Sequence, residues 1–237
     1  MIVFALLIVA AYLVGSIPTA YLIAKWARGI DIRRYGSGNV GSTNLARSTS
    51  KRLGIPVIFF DLAKGAAMVW AAQSAGLETY QQVIVGAAAI IGHNWPIFLR
   101  FNGGRGVLTS IGVLLAIAPK LAVTLIALSF LWLPFGHLAM GTISSFVLLP
   151  ITAWFSTAPV INWFFSPPFA SQERLPVTLS LLAITLIIAL RRLLAPKTTL
   201  TATVPLGQLV LNRLLFDRDI RDRKAWIDRI PSESRHT

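Results

Sequence analysis

The chain has 237 residues, 55% of them hydrophobic and 13% charged, with a net charge of +13. A soluble domain carries roughly 25% charged residues, so this composition excludes an ordinary soluble fold and predicts an all-α, polytopic membrane helix bundle. The absence of cysteine excludes disulfides, thiolate catalysis and cysteine-ligated metal sites.

In chain order, apolar runs occupy 2–24, 56–75, 82–99, 106–118, 121–136, 140–158 and 176–190, which predicts about seven transmembrane helices. No basic residue precedes the first run and no small-residue cleavage site closes it. It reads as a retained span, bent near Gly15 or Pro18. The fourth run, "GVLTSIGVLLAIA", rises only ~20 Å as a helix. Pro119 and Lys120 then interrupt the chain, so the fourth and fifth runs read as a tight helical hairpin. Pro150 in the sixth is tolerable where neighbouring helices satisfy the freed carbonyl.

Charge placement gives the orientation. Lys25, Arg28, Arg33, Arg34, Arg47, Lys51 and Arg52 fall in the first loop, and Arg100 and Arg105 in the third. Arg191, Arg192 and Lys197 follow the last run, whereas the opposite loops hold Lys120 and Arg174. Seven spans with the N-terminus outside put the basic loops and the C-terminus in the cytoplasm. Charges spaced this way suit an anionic leaflet or anionic small molecules rather than nucleic acid.

The division expected is a membrane domain over 1–196 and a basic cytoplasmic tail over 197–237. In the tail, a helix starting after Pro205 either lies flat on the leaflet with its arginines toward lipid phosphates, or extends as a solvated segment with pairs such as Asp217–Arg221.

The first loop holds "YGSGNVGSTNLAR" (35–47), a G-x-G-x-x-G string. A dinucleotide-binding turn needs a buried strand before it, and the preceding "ARGIDIRR" is charged; a P-loop needs a lysine that is absent here. What remains is the physics such loops share: glycines let backbone N–H groups converge on an anion, and a helix capped by Ser42 or Thr43 adds partial positive charge. Arg47 adds a planar fork for phosphate. A plain connecting turn explains the same residues. A second cradle, Gly103-Gly104-Arg105-Gly106, leads into the fourth run, just after His93, Asn94 and Trp95. His93 reads as an interfacial histidine or as a site residue. Asp61 and Lys64 share one helix face, either neutralising each other or facing a polar cavity.

Four stretches together resemble the bacterial acyl-phosphate:glycerol-3-phosphate acyltransferases: "GSIPTAYLIAK" (15–25), "GSGNVGSTNLAR" (36–47), "DLAKG" (61–65) and "GHNWPIFLRFNGGRGV" (92–107). "TISSFVLLP" (142–150) echoes a serine-containing family segment. The resemblance implies transfer of an acyl chain from acyl phosphate to the 1-hydroxyl of glycerol 3-phosphate in the bacterial inner membrane, active face cytoplasmic, in contact with membrane lipids and without metal or cofactor. It implies catalytic roles for Ser37 and Arg47. Substrate binding would fall to Gly36, Gly38, Asn39, Gly41, Asn44, Lys64, His93, Gly103, Gly104, Arg105, Gly106 and Ser145. Two departures stand out. The family's GGKG is GGRG here, and an H-R-x-N-I-x-R-L segment at the end of the last span is replaced by "IALRRLLAPKTTL" (188–200). His137, on the same membrane side, is a candidate to substitute spatially for the absent histidine. A lipid- or anion-binding relative without catalysis, acting as a scaffold, is the alternative, with a small transporter of phosphorylated metabolites behind it.

Overall fold

Proline sets the first break in the fold. The structure, a computed structural model, describes residues 1–155 and 171–228. Helix α1 (Ile2–Gly15) ends at Ser16, and α2 (Thr19–Arg28) restarts after Pro18, the bend expected near Gly15 or Pro18. Pro18 has no N–H to continue the ladder, but its carbonyl accepts from Leu22 N at 3.0 Å and so opens the next turn. After the loop come α3 (Ser42–Ser48), α4 (Lys51–Ser74) and α5 (Thr79–Asn94). α4 starts five residues before the apolar run, because Ser50 Oγ caps it by accepting from Leu53 N.

Helices α6 (Val107–Ile117) and α7 (Pro119–Phe130) break at Ala118, as a hairpin requires, with Pro119 at the first helical position. α8 (Leu138–Trp154) and α9 (Arg174–Leu193) complete the bundle. Each predicted run is mainly helical, but helix ends at Asn94 in the third and at Phe130 in the fifth, where 131–136 form turns that close at Gly136 with a left-handed φ of 72°; the end of the sixth, 156–158, lies outside the described residues. Four segments are long and apolar enough to cross a membrane: Ile2–Arg28, Lys51–Ser74, Thr79–Leu99 and Arg174–Leu193.

Small residues let the helices approach closely. A Cβ on Gly65 of α4 would meet the Thr109 carbonyl of α6, and one on Gly112 of α6 would meet the Leu62 carbonyl of α4. Backbone-to-backbone approach of this kind is how helices associate in lipid, where no water is expelled between them. The core joins α5 to α9 through Ile90, Val113, Leu121, Leu149, Leu181 and Ile184. Phe59, Phe60, Trp70, Leu179 and Leu186 face outward and exposed, the apolar exterior of a multi-pass membrane protein.

Two short helices follow the bundle, α10 (Leu206–Phe216) and α11 (Arg223–Asp228). α10 packs on α8 and α9. Arg213 and Arg218, expected to face phosphates or water, are turned inward and buried. Asp219 supplies the reason for the first: its Oδ1 accepts from Arg213 Nε at 2.8 Å.

Candidate active site

Asn44 organises the first loop. Its Oδ1 accepts from Ser37 N at 2.9 Å, and its Nδ2 is shared among the carbonyls of Tyr35, Asn39 and Ile32 at 3.0, 3.1 and 3.3 Å. Gly36 and Gly38 take left-handed φ of 54° and 70°, and a Cβ on Gly36 would press on the Asn44 amide. The loop does not form the amide cradle expected from its glycines. The N–H groups of Ser37, Gly38, Asn39 and Gly41 all donate within the loop. Gly41, rather than Ser42 or Thr43, stands at the cap of α3. Asn44 therefore builds the loop.

The second loop is held in the same way. Gly103 N donates to Asn94 O and Gly104 N to His93 O, while Arg191 grips the other side: Nη2 donates to Gly103 O at 2.7 Å and Nε to Gly104 O at 2.8 Å. A Cβ on Gly104 would collide with the His93 ring and the Val40 carbonyl, so the two loops meet here. Arg105 Nη1 donates to Arg191 O at 3.1 Å, and its Nε lies 2.7 Å from Asp217 Oδ1.

Behind these loops sits a buried polar cluster. Asp61 Oδ1 lies 2.9 Å from Lys64 Nζ and accepts from Thr19 Oγ1 at 2.8 Å; Lys64 also reaches His93 Nδ1 at 2.8 Å and Ile17 O at 3.3 Å. Asp61 and His93 line the main cavity, and Lys64 does not. Lys64 was expected to bind substrate. Its ammonium is directed instead to Asp61, His93 and the Ile17 carbonyl, behind the cavity wall.

The cavity has a volume of about 510 Å³. Its polar lining includes Ser37, Asn39, Asn44, Arg47, Arg105 and Arg218, and its apolar lining comes from α6, α7 and α8 through residues such as Ile111, Leu125, Ile126, Phe130 and Phe146. Gly41, His93, Gly106 and Ser145 line it as well. Ser145 spends its hydroxyl on Ser129 and the carbonyls of Leu125 and Gly141, which joins α7 to α8. Gly36, Gly38 and Gly103 line an adjoining groove with Arg33 and Lys197, and Gly104 lies in a small crevice beside His93. His137 lines the main cavity, its ring 5.4 Å from Phe216 and its Nδ1 buried without a hydrogen-bond partner among the described residues. Arg47 has no ion pair among the described residues, and partial burial together with the neighbouring Arg223 holds its pKa below the usual guanidinium value.

Reading the sequence missed Arg191 and Arg192, taken only as topology markers. Both are almost fully buried. Arg192 Nη1 donates to Ala139 O and Leu214 O at 3.0 and 2.6 Å. Two adjacent arginines in the last turn of an apolar helix were the available signal, since that turn has free carbonyls and negative partial charge.

Fold and site together define a helical membrane protein with an arginine-lined polar region opening onto an aliphatic chamber. The chain belongs to the glycerol-3-phosphate acyltransferase family, whose model matches residues 5–196. It is 46% identical over 227 residues to glycerol-3-phosphate acyltransferase 4 of Dehalococcoides mccartyi strain CBDB1, covering 96% of this chain and 94% of that protein. It is 40% identical over 164 residues to glycerol-3-phosphate acyltransferase 2 of Moorella thermoacetica, covering 69% and 80%. Among solved structures it resembles PlsY, an integral membrane glycerol 3-phosphate acyltransferase, in its glycerol 3-phosphate form. That likeness has a TM-score of 0.67 and 30% identity, over 80% of this chain and 88% of the other. The lysophosphatidic acid form gives a TM-score of 0.64.

Proposed function

We propose that this chain transfers an acyl group from an acyl phosphate to the 1-hydroxyl of sn-glycerol 3-phosphate, giving lysophosphatidic acid and inorganic phosphate for phospholipid synthesis. One observation carries the reading: a single cavity joins Ser37, Arg47 and Arg105 to the aliphatic wall of α6–α8. The chemistry calls for both halves, since two anionic groups must be positioned and a hydrocarbon chain sheltered.

An acyl phosphate is a mixed anhydride and arrives activated. The glycerol hydroxyl oxygen attacks the carbonyl carbon, the carbon–oxygen bond to phosphate breaks, and the departing phosphate takes up the proton the hydroxyl releases. Negative charge moves from the carbonyl oxygen to the leaving phosphate, and fixed cations at Arg47 and Arg105 stabilise it along that path. Ser37 orients the substrate phosphate. His137 is the residue we read as standing in for the histidine absent from the last span.

The same reading takes seven spans, the N-terminus outside, and an active face on the cytoplasmic side of the bacterial inner membrane. Support comes from the seven apolar runs and the one-sided lysine and arginine distribution. Residues 1–196 are the acyltransferase body and 197–237 its basic tail. α10 keeps Leu206, Val210 and Leu211 exposed, as an interfacial helix does. The test is the purified full-length chain in lipid, supplied with palmitoyl phosphate and glycerol 3-phosphate. Lysophosphatidate and phosphate should form in equal amounts; binding of both substrates without turnover would refute the reading.

A further inference from the structure

The tail forms one wall of the cavity. Residues beyond 196 lie outside the family match, although the Dehalococcoides mccartyi relative aligns well into them. The tail is fastened to the end of α9 by buried polar contacts. Arg213 Nη1 donates to Leu193 O at 2.6 Å and Arg192 Nη1 to Leu214 O. Asp219 Oδ2 accepts from Thr198 and Thr201 hydroxyls at 3.0 and 2.6 Å, and Asn212 Nδ2 donates to Asp219 O at 2.9 Å. Asp217, in a left-handed turn, then reaches Arg105. The fastening is well built, and it carries Phe216, Arg218, Arg223 and Trp226 to the cavity.

Arg218 is the informative residue. It is 8% exposed, lines the cavity, and has no hydrogen bond or ion pair among the described residues; its Nε is buried without a partner. Its guanidinium stacks on the Phe216 ring, 5.3 Å from the centroid, which fixes its direction. A buried cation without a direct ion pair or hydrogen bond is costly unless a ligand supplies one. Arg223 lines the same cavity and lies close enough to Arg47 and Arg218 to act on both. The neighbouring acids have other partners: Asp217 pairs with Arg105, Asp61 with Lys64, and Asp222, whose charge also reaches Arg218, accepts Lys224 N and Ala225 N at 2.8 and 3.1 Å. Three arginines from two distant parts of the chain thus border one cavity, and none of them forms an ion pair among the described residues.

We propose that Arg218 and Arg223 of the tail bind a substrate phosphate together with Arg47, so that the tail completes the substrate site. Whether the phosphate belongs to glycerol 3-phosphate or to the acyl phosphate depends on the acyltransferase reading; that the three arginines hold a phosphate does not. Charge-assisted hydrogen bonds of this kind change affinity by about tenfold or more. In the full-length chain, Arg218→Gln and Arg223→Gln should each weaken the binding of inorganic phosphate, measured by calorimetry, by about that factor, and Arg218→Lys should recover part of it. In steady-state assays, a rise in KM confined to glycerol 3-phosphate assigns the site to the acceptor, and one confined to palmitoyl phosphate assigns it to the donor. Arg223 is exposed and carries the test if Arg218→Gln fails to fold. Phosphate binding and both KM values unchanged in these variants would overturn the proposal. An inactive wild-type chain that still loses phosphate binding on substitution would overturn only the acyltransferase reading.

Discussion

Arg105 Nε stands 2.7 Å from Asp217 Oδ1, an ion pair that joins the second glycine loop to the tail across 112 positions of sequence. The pair is only partly exposed, with side-chain exposures of 11% and 25%, so solvent weakens it less than a surface pair. Asp217→Asn should loosen the tail and lower kcat/KM by about threefold to tenfold. Arg105→Lys, which matches the lysine usual in the resembling family, should keep most activity. Steady-state kinetics on both variants check this.

Arg191 holds the backbone of that loop by two hydrogen bonds, and both accepting carbonyls belong to buried glycines. Arg191→Met leaves those carbonyls without a donor. It should cost about 2–4 kcal/mol and lower the unfolding temperature in detergent by several degrees. A purely topological arginine would give no such loss.

Lys64 lies behind the cavity wall, paired with Asp61. Lys64→Met breaks the buried pair and leaves Asp61 with Thr19 and His93 as its remaining partners, at about 3–5 kcal/mol. Asp61→Asn combined with Lys64→Met should recover much of that stability, because the buried pair is then removed rather than broken. Thermal unfolding of the two single variants and the double variant measures the coupling.

The attachment of the tail should depend on pH through Asp219. Burial pushes its carboxyl up, but the combined hydrogen bonds from Arg213, Thr201 and Thr198 and the Arg213 charge hold its pKa below 3.8. A depressed carboxylate contributes stability above its unfolded pKa and loses it as pH falls through its folded pKa. Hydrogen exchange of α10 amides, corrected for intrinsic rates, should be unchanged from pH 7 to 5 and accelerate below about pH 4. Asp219→Asn should show fast exchange throughout.

The helices were legible because lipid leaves few choices: an apolar run must satisfy its backbone internally, and Pro119 had to break the hairpin where it did. The cavity's Ser37, Arg47 and Arg105 were legible because charged and polar residues beside a membrane-embedded bundle are costly without a role. Contacts between distant parts of the chain were not. The sequence around Gly103 carries no sign that Arg191 will hold it, and the glycine count around Ser37 does not reveal that Asn44 takes up the loop's amide. Lys64 looked equally suited to a ligand or to Asp61; the packing of α2 and α5 against α4 brings it to Asp61 and His93. The tail's charge suggested lipid phosphates or solvent, whereas Asp219 and the Leu193 carbonyl at the end of α9 turn Arg213 inward.

The most direct test of the central claim, that the Arg47-lined cavity is the acyltransferase site, is phosphate release from palmitoyl phosphate by the full-length chain and by Arg47→Gln. Arg47 has no ion pair among the described residues, so its loss should leave the unfolding temperature within about a degree. The wild-type chain should release phosphate only when glycerol 3-phosphate is present, and Arg47→Gln should reduce kcat/KM by about a hundredfold or more. Undiminished turnover in Arg47→Gln would contradict the account.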